Sequence, residues 1–94
     1  MARRYYTWET PEETIQAVAK RFRRVRRRRK VTQKQLAHKS GVSYASLKRF
    51  EETGNISLLS LTKLCAALDL GSQITDLFTD VEYLTMEEVI RDKS

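Results

Sequence analysis

The side chains best suited to chemistry in this sequence are cations, and they are concentrated in one run. Residues 23–30 read RRVRRRRK, so seven of these eight positions are basic. Arginine and lysine at this density bind polyanions, because each phosphate contact releases condensed counterions into solution. The run could also be a solvated helix end or a localisation-type basic patch. Because short, evenly patterned helices follow it directly, we expect it to bind a nucleic acid backbone.

Residues that support catalysis or metal binding are sparse. The chain has one histidine, His38, and one cysteine, Cys65. It contains no glycine-rich phosphate loop and no carboxylate cluster with metal-ligand spacing. Cys65 falls on an apolar helical stripe and is expected to be a small core residue. The sequence therefore predicts a protein that is not an enzyme and that uses no cofactor or metal.

Charge is distributed unevenly along the 94 residues, a length that suits one small domain. Residues 1–49 contain fifteen Lys and Arg against three Asp and Glu, whereas residues 50–94 contain three against nine. This predicts a basic face for a polyanion and an acidic remainder directed elsewhere. The single cysteine and the lack of a long apolar run favour a soluble, cytoplasmic protein with no membrane partner.

Capping residues and apolar periodicity divide the chain into short helices, predicting an all-α fold. Four helices are each preceded by a hydroxyl residue that can cap the N-terminus, namely Thr10, Thr32, Ser43 and Ser57. The first three predicted helices are 11–29, 33–39 and 44–52, and a fifth is predicted at 73–78. The fourth begins after Ser57 and is expected to bury Leu58, Leu61, Leu64, Cys65 and Leu68. Residues 11–78 then form one domain, with an N-terminal arm at 1–10 and a C-terminal tail at 79–94. The appendages either cover the core or make a dimer or partner contact.

The second and third helices have the features of a helix-turn-helix. They are joined by KSGVS, and Ala37 is small where the second helix must cross its neighbour closely. Gly41 supplies a left-handed turn, while Val42 and Leu47 can hold the two helices at a steep angle. Such units place the second of their helices in the DNA major groove.

The stretch TQKQLAHKSGVSYASLKRFE resembles the XRE, or lambda-repressor-like, helix-turn-helix family, and the resemblance extends over roughly residues 15–78. It rests on several features in register: Arg26, Gln33, Leu36-Ala37, Gly41-Val42, Leu47, Glu51, LTKLCAALDL and ITDLF. It implies a five-helix DNA-binding domain in which residues 44–52 form the recognition helix.

The resemblance also implies roles for individual residues. Gln33 is expected to contact a phosphate at the start of the second helix, and Ser43 to cap the third helix and touch the backbone. Arg26 and Glu51 match a family salt bridge beside the DNA. The residues expected to face base edges are Tyr44, Ala45, Lys48 and Arg49, with Arg49 suited to guanine. Independently of the resemblance, the basic run predicts contacts to the DNA backbone by Arg27, Arg28 and Arg29, and Lys34 is a further residue expected to bind DNA.

Some positions depart from the family pattern. Lys30 replaces the usual glycine after the first helix, EETG is one residue longer than the usual Glu-x-Gly, and the proline before the fourth helix is absent. The phrase SLKRFEETGNIS instead resembles HipB-type antitoxins, which are made alongside HipA-like kinase toxins.

We therefore expect a sequence-specific repressor that binds a palindromic operator as a homodimer, and an antitoxin that represses its own operon. Its partners would be double-stranded DNA, a second copy of the chain and a HipA-like kinase. The alternatives are a regulator without a toxin and a module that bridges proteins without touching DNA.

Overall fold

The computed structural model describes residues 10–79, and within that part the chain forms five α-helices and no strand. The helices are α1 (Pro11–Arg28), α2 (Gln33–Ser40), α3 (Tyr44–Thr53), α4 (Leu58–Ala67) and α5 (Gly71–Thr75). The expected all-α, five-helix fold is confirmed. Almost all of the predicted arm and tail lies outside the described residues. No helix from residue 10 to 79 has the length and apolar character needed to cross a bilayer.

Side-chain caps fix the N-termini of the first four helices. Thr10 Oγ1 accepts a hydrogen bond from the Glu13 N–H at 3.1 Å, and the Glu13 carboxylate accepts one from the Thr10 N–H at 2.9 Å. Thr32 and Gln35 form the same reciprocal pair at 3.0 and 2.9 Å. The other two caps are the single hydroxyls of Ser43 and Ser57. Each cap satisfies a backbone donor that the helix leaves unpaired, so these residues decide where the helices begin.

Two glycines end α2 and α3 in very different surroundings. Gly41 and Gly54 both have left-handed backbone conformations, with φ of 79° and 87°. A Cβ added at Gly41 would meet open space, whereas one at Gly54 would lie 2.7 Å from the carbonyl carbon and oxygen of Ile15. The missing side chain of Gly54 therefore allows the end of α3 to touch α1.

The turn from α1 to α2 is left-handed without a glycine. Lys30 has φ of 59°, and its N–H donates to the Arg27 carbonyl at 3.0 Å. A residue with a Cβ pays about 1–2 kcal/mol for this conformation. Lys30 thus takes the backbone geometry for which glycine is better suited, and the turn keeps its shape.

The core lies where α1, α2, α3 and α4 meet. Phe22 of α1 and Phe50 of α3 make an edge-to-face contact with their centroids 5.4 Å apart. Leu36 of α2 and Leu47 of α3 are fully buried, with Val42 buried in the turn between them. These contacts fix α3 against α2 and form the expected helix-turn-helix.

Two details predicted from apolar spacing are wrong. Leu58 was expected on the buried side of α4, but it is 65% exposed, as is Leu59 in the same first turn. The fifth helix was expected at 73–78, but α5 ends at Thr75. α5 starts earlier, at Gly71, because the left-handed conformation of Asp69, with φ of 59°, changes the direction of the chain soon after α4. A turn follows α5, and in it Phe78 is 89% exposed.

Candidate nucleic-acid interface

A buried ion pair ties α3 to α1. Arg26 donates from Nε to Glu51 Oε2 at 2.7 Å and from Nη2 to Glu51 Oε1 at 2.8 Å. Its Nη1 donates to the Val31 carbonyl at 2.8 Å. The side chains of Arg26 and Glu51 are only 8% and 2% exposed. A bidentate pair of this kind fixes both distance and orientation, so α3 has a set position relative to α1 and to the turn before α2.

Gln33, at the first position of α2, extends this network. Its side-chain Nε2 donates to Glu51 Oε1 at 2.9 Å, so that oxygen accepts from both Arg26 and Gln33. A primary amide has two N–H donors, and the second one remains available to a phosphate. Sequence patterns gave no sign that Gln33 also contacts the ion pair, because residues 33 and 51 lie on different helices.

The outward face of α3 is formed by four exposed residues spaced three and four apart. These residues, which we call the reading face, are Ala45, Lys48, Arg49 and Glu52. Positions with this spacing lie on one side of a helix, opposite the buried Leu47 and Phe50. Glu52 was not among the predicted site residues, although its spacing from Lys48 and Arg49 was visible in the sequence. A carboxylate here is suited to accept a hydrogen bond from the cytosine amino group.

Tyr44 and Ser43 lie at the start of α3. The Lys34 ammonium of α2 lies 5.7 Å from the centroid of the Tyr44 ring, which is within the range of a cation–π contact. The Ser43 hydroxyl accepts from the Ser46 N–H and also lies 2.9 Å from the Ser46 hydroxyl. Lys34 and Tyr44 are therefore brought together, and the Ser43 hydroxyl is engaged within the first turn of α3.

Arg49 also borders a groove between α3 and the start of α4. The groove has a volume of about 310 Å3. Its other lining residues are mainly small and polar: Ser46, Asn55, Ile56, Ser57 and Ser60. Asn55 and Ser60 were not predicted from the sequence as site residues. The sequence feature that could have indicated a site here is the predicted cap at Ser57, because the N-terminus of a capped helix presents N–H groups that favour anions.

The three arginines predicted as backbone contacts lie at the C-terminal end of α1. Arg27 and Arg28 line a groove on α1, whereas Arg29 is the C-cap of α1 and is not among the residues of that groove. All three are exposed.

Within residues 10–79, no group of three or more potential metal ligands comes together. Cys65 is buried in the core, and its burial raises the pKa of the thiol above its ordinary value. A thiol with a raised pKa is a poor nucleophile at neutral pH.

Comparison with known proteins identifies the same domain. A search of curated proteins and a search of solved structures find no match. The family model for the Cro/C1-type HTH DNA-binding domain matches residues 21–82, which is more than half of the chain. Domains of this kind are typically not enzymes. The chain belongs to the Cro/C1-type helix-turn-helix DNA-binding domain family.

Proposed function

We propose that this DNA-binding regulator is a sequence-specific repressor that recognises a palindromic operator as a homodimer. The observation that carries the proposal is the reading face of α3, fixed in place by the buried Arg26–Glu51 pair. An exposed helix of this kind fits the major groove, where each base pair has a distinct pattern of donors and acceptors. Because the pair orients α3 before any ligand binds, little order has to be gained on binding.

The proposed contacts divide into base recognition and backbone positioning. Arg49 donates two hydrogen bonds to a guanine, while Ala45 and Tyr44 contact thymine methyl groups and Lys48 also lies against base edges. Gln33 and the N-terminus of α2 bind a phosphate and set the register. The other backbone contacts are Ser43, Lys34, Arg27, Arg28 and Arg29, with the Arg26–Glu51 pair beside them.

The test begins with selection of an operator from a pool of random-sequence duplexes by the purified full chain. Binding of Arg49→Ala to the selected duplex and to a scrambled one is then compared with that of Lys63→Ala. Lys63 is an exposed cation on α4, so the two variants lose the same charge. We expect Arg49→Ala to lose about 1–3 kcal/mol on the operator and much less on scrambled DNA.

Two outcomes would contradict this proposal. Selection that recovers no preferred sequence would exclude sequence-specific repression. Equal losses on both duplexes would exclude Arg49 from base recognition.

Exposed apolar residues support the homodimer. Leu58 and Leu59 lie side by side at the start of α4, and each is 65% exposed. Burying apolar surface of this size against a second copy would be favourable at about 25 cal/mol per Å2. Two recognition helices would then enter major grooves about 34–36 Å apart. Sedimentation of the wild type and of Leu59→Glu tests this; equal monomer fractions would exclude Leu59 from the interface.

We further propose that the repressor is an antitoxin that controls its own operon in the cytoplasm. The support is the resemblance of SLKRFEETGNIS to HipB-type antitoxins, together with the acidic second half of the chain. A HipA-like kinase encoded by the neighbouring gene, and copurifying with the full chain, is the expected result. A neighbouring gene of another kind, with repression still intact, would instead support a regulator without a toxin partner.

A further inference from the structure

Helix α1 has a broad charged surface, of which the contacts proposed above use only Arg27 and Arg28. Five cations line a groove of about 520 Å3 on this helix, and we call this surface the outer basic face. Its residues are Lys20, Arg23, Arg24, Arg27 and Arg28. They recur at intervals of three and four, so they occupy one side of α1 and extend along about 12 Å of its axis.

The charges of the outer basic face have no protein partner in the described part of the chain. Among residues 10–79, the ion pair whose charged atoms lie within 4 Å of each other joins Arg26 to Glu51. Arg26 does not belong to the outer basic face. Like charges four residues apart on a helix destabilise it. Such pairs occur here between Lys20 and Arg24, and again between Arg24 and Arg28. A cluster of this kind is stabilised when an anion binds to it.

The position of the face follows from that of Arg26. Arg26 points inward to Glu51, and the centre of the outer basic face lies about 120° around the helix from it. Arg28 is the last residue of α1, and Gln33 opens α2 after a turn of four residues. The Arg28 end of the face is therefore separated from Gln33 by this turn, while Lys20 lies about two helical turns further back along α1.

We infer that the outer basic face binds phosphates of duplex DNA that flanks the half-site read by α3. This inference rests on the proposed DNA binding. Four of the five residues are arginines, whose planar guanidinium groups match phosphate oxygens well. Phosphates repeat every 3.4 Å along each strand, so a 12 Å stripe can contact about three of them. An acidic protein is a poorer fit, because the groove is lined entirely by cations and has no apolar anchor.

The experiment compares Arg23→Gln/Arg24→Gln with Lys39→Gln/Lys63→Gln. Both doubles remove two exposed charges, and the second pair lines a different groove between α2 and α4. Each protein is titrated, at 50–200 mM salt, against two duplexes: the selected operator alone, and the operator with ten flanking base pairs on each side. Thermal unfolding confirms that both doubles are folded.

The wild type and the control double are expected to bind the longer duplex more tightly than the shorter one. Arg23→Gln/Arg24→Gln is expected to lose this preference, and its salt slope on the longer duplex falls by about 2. The affinity ratio between wild type and variant then shrinks about tenfold from 50 to 200 mM salt.

Equal salt slopes for the two doubles on the longer duplex would overturn the inference. So would a variant that binds both duplexes like the wild type but no longer binds polyglutamate, since the face would then be a site for acidic protein segments. A wild type that fails to prefer the operator over scrambled DNA would count against the proposed function instead. The slopes on scrambled duplexes of two lengths would still test the outer basic face.

Discussion

The two sides of α1 carry arginines of the same basic run, but one side is buried in an ion pair and the other is exposed to solvent. On the inner side, Arg26 is buried and bonded to Glu51 of α3. On the outer side, Arg23 and Arg27 are exposed and line a groove of cations. Arg26 and Arg27 are neighbours in sequence, so their roles are set by the 100° step around the helix. A basic run in a helix can therefore combine a structural charge with ligand-binding charges.

The largest expected effect comes from removing Glu51, the partner of the buried Arg26. Glu51→Ala leaves Arg26 buried without its carboxylate, and we expect the free energy of unfolding to fall by about 3–5 kcal/mol in urea titrations. Glu52→Ala, one residue further on and exposed, should change it by less than about 0.5 kcal/mol. Similar losses for both variants would show that the pair does not hold α3. The double variant Arg26→Met/Glu51→Leu should lose less free energy of unfolding than Glu51→Ala, because it leaves no buried charge unpaired.

The contact between α1 and α3 can also be tested at Gly54, which lies against the backbone of Ile15. Gly54→Ala forces a Cβ against the Ile15 backbone, whereas Gly41→Ala meets open space in the same left-handed conformation. Both variants lose about 1–2 kcal/mol from the backbone conformation, and Gly54→Ala should lose about 1–3 kcal/mol more from the close contact. Chemical unfolding of the two variants measures the difference. Equal losses would mean that α1 moves away from Gly54 at little cost.

The outer side is expected to matter for DNA and hardly at all for stability. Arg27→Gln/Arg28→Gln should change the free energy of unfolding by less than about 0.5 kcal/mol. It should weaken binding to operator and scrambled DNA alike and reduce the salt slope by up to about 2. Titrations at several salt concentrations measure this effect. A loss of stability close to that of Glu51→Ala would remove the distinction between the two sides of α1.

The smallest expected effect is a gain at the turn that follows α1. Lys30→Gly relieves a left-handed conformation and loses some backbone entropy, for a net stabilisation of about 0.5–1 kcal/mol. Lys30→Ala is the matched control, because it removes the same charge and keeps the Cβ. Thermal unfolding of both variants distinguishes them. A gain of equal size in Lys30→Ala would assign the effect to charge repulsion within the basic run.

Much of the fold could be predicted because its signals are local. The capping boxes at Thr10 and Thr32 fixed the start of α1 and α2, and Gly41 and Gly54 fixed the ends of α2 and α3. The exposure of Leu58 could not be predicted in this way. Periodicity tells which residues share a side of a helix, but it does not tell where the neighbouring helices end.

The candidate site was predictable only in part, for a related reason. The family resemblance provided Arg26 and Glu51 as a pair, but it did not indicate that Gln33 bonds to the same carboxylate oxygen. Contacts of this kind depend on packing between distant segments, which spacing along one helix does not contain. The grouping of Arg27 and Arg28 with Lys20 on one groove, by contrast, follows from their spacing along α1.

The contact between α1 and α3 also has a consequence for how fast the domain folds. It joins residues far apart in sequence, 25 positions for Arg26 and Glu51 and 39 for Ile15 and Gly54. The α2–α3 and α4–α5 contacts join helices that follow one another directly, and the α2–α4 contact spans one intervening helix. A helical domain of this kind is expected to fold in microseconds to milliseconds. Closure of the long loop between α1 and α3 carries the largest entropic cost, so this step is expected to limit the folding rate.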